Sequence, residues 1–188
     1  MSKVLTSNIL TMQRESCERK YKTSRMYLLI LVIATAVNMV LVVTKNDTYF
    51  LFSAFIPYFL TSVGMILCGR YPSEYYGDQY DQIEFYNSSF FYIVLAVSIV
   101  ITLIYLLAYF LSNKQRGGWL VFALVFFGID TFFMAMMGGI SLETIIDVVF
   151  HALVIYYLIV GIKSLKKLKK LFAEEPATVD EQPEAKTA

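Results

Sequence analysis

Charge is scarce in this 188-residue sequence: Asp, Glu, Lys and Arg make up 16% of it, against about a quarter in soluble domains. Stretches of about twenty residues carry no charge at all, which excludes the water-wetted surface of an ordinary soluble domain. Histidine occurs once, at His151, so three-histidine and HExxH zinc sites are impossible. Cysteine occurs twice, as Cys17 in a basic stretch and Cys68 at the end of an apolar one; neither a disulfide framework nor a zinc spacing follows. GxSxG, GxGxxG and Walker patterns are missing, so no catalytic motif and no cofactor are indicated, and the expectation is a protein that is not an enzyme.

What remains is apolar: 57% of the residues are hydrophobic and 16% aromatic. The apolar runs are 26–44, 49–68, 90–112, 118–137 with Asp130 inside it, and 142–162. Each is long enough to cross a hydrocarbon core of about 30 Å as a helix of about 20 residues. Many of these residues are β-branched or aromatic, but in lipid every backbone N–H and C=O has to be satisfied within the element, and that requirement outweighs local β preference. The sequence therefore predicts an all-α integral membrane bundle of five transmembrane helices. A basic leader, 1–25, precedes the membrane domain, 26–162; a basic amphipathic helix, 163–172, and a disordered acidic tail, 173–188, follow it. No cleavable signal peptide is expected, because the first apolar run begins only at Met26 and lacks a small-x-small exit.

The links KND, SNKQRGG and GGIS are short, which makes sequential helices antiparallel neighbours. The exception is the stretch after Cys68, rich in tyrosine and carrying Glu74, Asp78, Asp81 and Glu84. Five crossings put the termini on opposite faces, and basic residues then nearly balance. Two loops and the C-terminal segment favour a cytoplasmic C-terminus in a cell membrane, taken as a bacterial inner membrane, with the basic leader as the objection. That objection would vanish if one of the first two runs were a re-entrant or interfacial segment, giving both termini to the cytoplasm. Asn46 in NDT and Asn87 in NSS match the glycosylation pattern, but five crossings separate them, so they read as chance matches. Pro57 is expected to kink the second run near its middle.

The stretch ETIIDVVFHALVIYY sets Glu143, Asp147 and His151 at steps of four, along one stripe of a helix. Counted from the GGIS turn, Asp147 lies at about 11 Å depth, His151 at about 17 Å, and Asp130 at about 14 Å on the preceding helix. Asn38, counted from the opposite end, reaches a similar depth. An acid at the bilayer centre costs about 2.5 to 3.5 kcal/mol on insertion scales, so these residues need partners or a task.

Two readings follow. In the first, a cation or proton site lies between the fourth and fifth runs, with Asp130 and Asp147 as exchangeable carboxylates, His151 as relay or ligand, Asn38 nearby, and Glu143 with the acidic loop at the entrance. The chain is then a small transport or transport-accessory protein. In the second, the same side chains fasten helices by hydrogen bonding, Glu143 caps its own helix behind Ser141, and the chain is a non-catalytic interaction or regulatory protein. A divalent metal at Asp130, Asp147 and His151 would need waters or Glu143 to complete it. Lys163, Lys166, Lys167, Lys169 and Lys170 lie largely opposite Leu165, Leu168 and Phe172 and are expected to meet anionic lipid headgroups. Expected partners are the lipid bilayer and a membrane protein or second copy of the chain; nucleic acid is not expected.

Overall fold

The computed structural model describes residues 2–46, 48–50, 53–137 and 142–173. The elements are α1 (Ser2–Val43), α2 (Phe55–Leu67), α3 (Ser73–Tyr76) running into a 3-10 turn (Gly77–Gln82), α4 (Ser88–Leu111), α5 (Gly117–Met137) and α6 (Leu142–Ala173). Among the described residues there is no strand, and α1, α4, α5 and α6 are long and apolar enough to cross a membrane. The helical membrane bundle read from the sequence is what the chain forms. Its burial pattern agrees: Ile93, Val100 and Phe110 of α4 and Val125, Phe132 and Met136 of α5 are exposed, while Thr35, Asn38, Ser53, Ser98, Asp130 and His151 are at most 1% exposed. Soluble proteins keep polar side chains outside; with lipid as solvent the apolar ones take that place.

The second apolar run takes a different course from the expected spanning helix. Among its described residues only Phe55–Leu67 is helical, about 20 Å of helix against a core of about 30 Å. Entering it, the chain descends beside α1: Asn38 holds Phe50, and the Ala54 N–H donates to Thr35 Oγ1 at 2.8 Å. The helix then turns back. Met65, near its end, packs with Val42 and Phe91, and the Leu67 carbonyl accepts the Tyr86 N–H at 2.9 Å. The segment therefore leaves on the face where α1 ends and α4 begins, as a re-entrant hairpin. Polar side chains on α1 satisfy the descending backbone, which is why the run need not be helical from its start. Pro57 is the third residue of α2 rather than a kink in its middle; in the first turn its missing N–H breaks no helical bond.

Gly69 closes α2. With φ at +61°, it lets the Arg70 N–H reach the Met65 carbonyl at 3.0 Å, a helix stop that needs a left-handed residue. A side chain there would meet the Phe85 ring at 2.9 Å. The tyrosine-rich loop then folds over this helix end, with the Tyr76 hydroxyl donating to the Ile66 carbonyl at 3.0 Å.

α1 and α6 are longer than the membrane is thick, about 63 and 48 Å, and run antiparallel against each other beyond it. Leu165, Leu168 and Leu171 are buried in one cluster with Cys17 and Tyr21, and Arg14 donates to the Leu171 carbonyl at 2.7 Å while lying over the Phe172 ring. The leader and the basic segment are thus the continuous ends of α1 and α6. The apolar side of 163–172 is spent on α1, so the segment does not form a separate helix lying along the membrane surface, while all five of its lysines remain exposed. Arg25 ties the same face to the α4–α5 link, donating to Ser112 Oγ and the Tyr109 carbonyl at 3.1 Å. Close packing rests on small residues: a methyl at Gly161 would overlap Ser24, and one at Gly117 would meet Leu165 at 2.6 Å.

The hairpin revises the topology. The start of α1, the α4–α5 link and the end of α6 share one face; residues 44–46, the tyrosine-rich loop and the start of α6 share the other. The start of α1 and the end of α6 lie together, not on opposite faces, and Asn46 and Asn87 lie on one face rather than two. Both are used locally, Asn46 Oδ1 accepting the Thr48 N–H and Asn87 Oδ1 the Ser89 N–H.

Candidate functional site

The hairpin's turning point is where the buried charge lies. Asp130 sits on α5 at 1% exposure, and both its oxygens face the first turn of α2: Oδ2 accepts the Phe55 N–H and Oδ1 the Ile56 N–H, each at 2.8 Å. A helix start leaves its first N–H groups without intrahelical partners and carries a partial positive charge. A carboxylate placed there answers both needs, and α2 has no side-chain cap of its own. Asp130 is therefore a cap supplied from another helix.

His151, also 1% exposed, approaches from α6. Its ring stacks on Phe127, one turn before Asp130, with centroids 4.8 Å apart and planes 7° from parallel. Nδ1 lies 2.9 Å from the Asp147 carbonyl oxygen. An oxygen of that kind can only accept, so Nδ1 carries a proton. Nε2 faces Asp130 Oδ2 at 3.5 Å and has no hydrogen-bond partner among the described residues. In the neutral ring with a protonated Nδ1, Nε2 is a bare lone pair directed at a carboxylate oxygen, two acceptors face to face. A proton on Nε2 turns that contact into an ion pair.

Other polar groups surround this pair. The Tyr105 hydroxyl is buried without a hydrogen-bond partner and within electrostatic reach of Asp130. Ser53 Oγ donates to the Tyr49 hydroxyl at 3.1 Å and accepts from Asn38 Nδ2 at 2.8 Å. Tyr49 lies within electrostatic reach of both Asp130 and Asp147. A hydrogen-bonded chain of Tyr49, Ser53 and Asn38 thus lines the entry to the hairpin.

The sequence-predicted residues divide accordingly. Asp130 and His151 meet. Asp147 joins them through its backbone carbonyl, its side chain being half-buried toward Tyr49. Asn38 does not join Asp130: its amide clamps the hairpin, donating to the Phe50 carbonyl at 2.7 Å and accepting the Phe50 N–H at 2.8 Å. Glu143 lies in the first turn of α6, with its side chain outside the described residues, as are Ser141, the GGIS turn and the tail from 174 onward. Among the described residues no three His, Cys, Asp or Glu side chains are grouped to hold a metal ion. Sequence reasoning missed Thr35, Ser53 and Tyr105. Thr35 had a legible signal: it lies three residues before Asn38, on the same side of α1.

No protein-family model matches the chain, and no curated protein or solved structure matches it.

Proposed function

We propose that this multi-pass membrane protein binds a proton, or a small cation in its place, between Asp130 and His151, and that it is a small transport or transport-accessory protein rather than an enzyme. One observation carries the reading: a buried imidazole nitrogen without a partner, 3.5 Å from a buried carboxylate oxygen, on a ring whose other nitrogen is already committed. Ionisable groups at membrane depth are expensive, and a missing charge between two acceptors is a reason to keep them. The re-entrant hairpin gives the site a polar route from one face by way of Tyr49 and Ser53.

The charge distribution supports an orientation. Arg14, Arg19, Lys20, Lys22 and Arg25, then Lys114 and Arg116, then Lys163, Lys166, Lys167, Lys169 and Lys170 all belong to the face that holds both ends of the bundle. The opposite face holds Lys45 and Arg70 against Glu74, Asp78, Asp81 and Glu84. The positive-inside rule makes the first face cytoplasmic, and the hairpin then opens away from the cytoplasm in a cell membrane. The exposed lysines of α6 nearest the bilayer would meet anionic headgroups.

A structural role is favoured by a different observation: both Asp130 oxygens already accept N–H bonds from α2. The two roles are compatible, because the cap holds the carboxylate still while His151 takes up the proton.

The chain's single histidine makes the test unambiguous. With 15N-labelled histidine in lipid nanodiscs, the neutral ring should carry its proton on Nδ1, and Asp130→Asn should shift the Nε2 resonance. A neutral ring protonated on Nε2 would contradict the assignment. Transport is tested separately: an acid pulse on proteoliposomes holding a pH dye should acidify the lumen faster than in empty vesicles, and faster than with His151→Phe. Equal rates in all three preparations would leave only the structural role.

A further inference from the structure

We infer that the face opened by the hairpin carries a binding site for a small zwitterion, an amino acid or betaine with separate ammonium and carboxylate ends. A cavity of about 630 Å³ lies there, between the end of α1, the hairpin and the tyrosine-rich loop, lined by Lys45, Tyr49, Tyr58, Tyr71, Glu74 and Tyr75. Small-molecule sites occupy about 300 to 1,000 Å³ and combine aromatic walls with a few placed polar groups. A second groove, between α1 and α4, is lined almost wholly by apolar side chains.

Two features set the ligand's chemistry. The tyrosines form paired walls: Tyr49 and Tyr58 have centroids 4.9 Å apart, and Tyr71 stacks on Tyr75 at 4.6 Å. Aromatic faces beside a carboxylate receive an ammonium group, as Glu74 and Tyr75 are placed to do. Lys45 supplies the opposite charge to the same cavity, and among the described residues neither Lys45 nor Glu74 is in an ion pair. Lys45 also holds a left-handed backbone, φ +59°, at the stop of α1, where glycine is the usual residue. One cation and one anion that do not pair, facing a tyrosine-walled space, fit a molecule bearing the complementary two charges.

The site shares Tyr49 with the hydrogen-bonded chain of the hairpin, but its occupancy does not depend on proton binding at Asp130 and His151. The test is isothermal titration calorimetry on the full chain in nanodiscs, with glycine betaine and L-phenylalanine as zwitterions and choline and acetate as probes bearing a single charge. At least one zwitterion should bind, and bind at least about tenfold more tightly than either control. Glu74→Gln and Lys45→Ala should each weaken it by about tenfold or more while melting temperature is retained. Tyr75→Phe should keep binding and Tyr75→Ala should lose it. No binding of either zwitterion, choline binding as tightly as the zwitterions, or indifference to Lys45→Ala would each overturn the inference. The His151 tautomer would stand in any of those cases, so the two readings fail separately.

Discussion

Replacing Asp130 with alanine tests the docking of the hairpin most directly. The side chain accepts two backbone N–H bonds at 2.8 Å in a setting 1% exposed. A hydrogen bond to a charged group contributes about 1.5 to 3 kcal/mol, and a buried donor left unsatisfied costs about 1 to 3 kcal/mol. Two such bonds make the loss about 3 to 6 kcal/mol, with a further contribution from the helix dipole. Asp130→Asn retains one acceptor oxygen but turns an NH2 group toward the other N–H, so about half of that loss is expected. Hydrogen–deuterium exchange of the peptide covering residues 53–60, in nanodiscs, reads the opening of α2 locally. At 1.4 kcal/mol per tenfold, the alanine variant should exchange at least about a hundredfold faster and the asparagine variant roughly tenfold or more. Peptides from the paired ends of α1 and α6 around Cys17 and Leu168, which pack on each other and not on the hairpin, serve as the internal reference. If Asp130→Ala left exchange in 53–60 within about threefold of the parent protein, the carboxylate would not be the cap.

Three further outcomes follow from the packing and topology. Gly161→Ala should destabilise the α1–α6 contact by about 1 to 3 kcal/mol in thermal unfolding, and adding Ser24→Gly should restore most of it, because Ser24 is what the new methyl would meet. Leu168→Ala, at a site 1% exposed in the paired ends of α1 and α6, should cost about 2 to 5 kcal/mol, whereas Lys167→Ala beside it should change the melting temperature little. Single cysteines at Asn46 and Asn87, in a background with Cys17 and Cys68 replaced, should react with an impermeant maleimide from the same side, and one at Asn113 from the other; labelling of Asn46 and Asn87 from opposite sides would remove the re-entrant hairpin.

The apolar runs were legible because lipid leaves the backbone one inexpensive local solution, and composition alone marks where it applies. The meeting of Asp130 and His151 was legible for a similar reason: a rise of about 1.5 Å per residue turns positions on two antiparallel helices into depths that can be compared. The course of 49–68 was not. An apolar run of that length satisfies its backbone equally well as one spanning helix or as a descent plus a short helix, provided other side chains supply the missing hydrogen bonds. Those suppliers are Thr35 and Asn38 on α1 and Asp130 on α5, and the bonds they make are to backbone atoms, which a sequence of side chains does not display. The topological error came with it, since the side of every later element depended on counting that run as a crossing. The basic segment 163–172 misled differently: its amphipathic stripe was real, but a lipid surface and another helix bury such a stripe equally well.

The cap that holds α2 lies 75 residues further along the chain than the N–H it accepts from Phe55. At translation rates of about 5 to 20 residues per second, roughly 4 to 15 s separate the appearance of the two on the ribosome. During that interval the nascent hairpin has no anion at its turning point, so it cannot settle at its final depth and must wait at the lipid–water boundary, where water satisfies its open N–H groups. Biogenesis is therefore ordered from the far end: the segment made second is seated only after α5 has entered the bilayer.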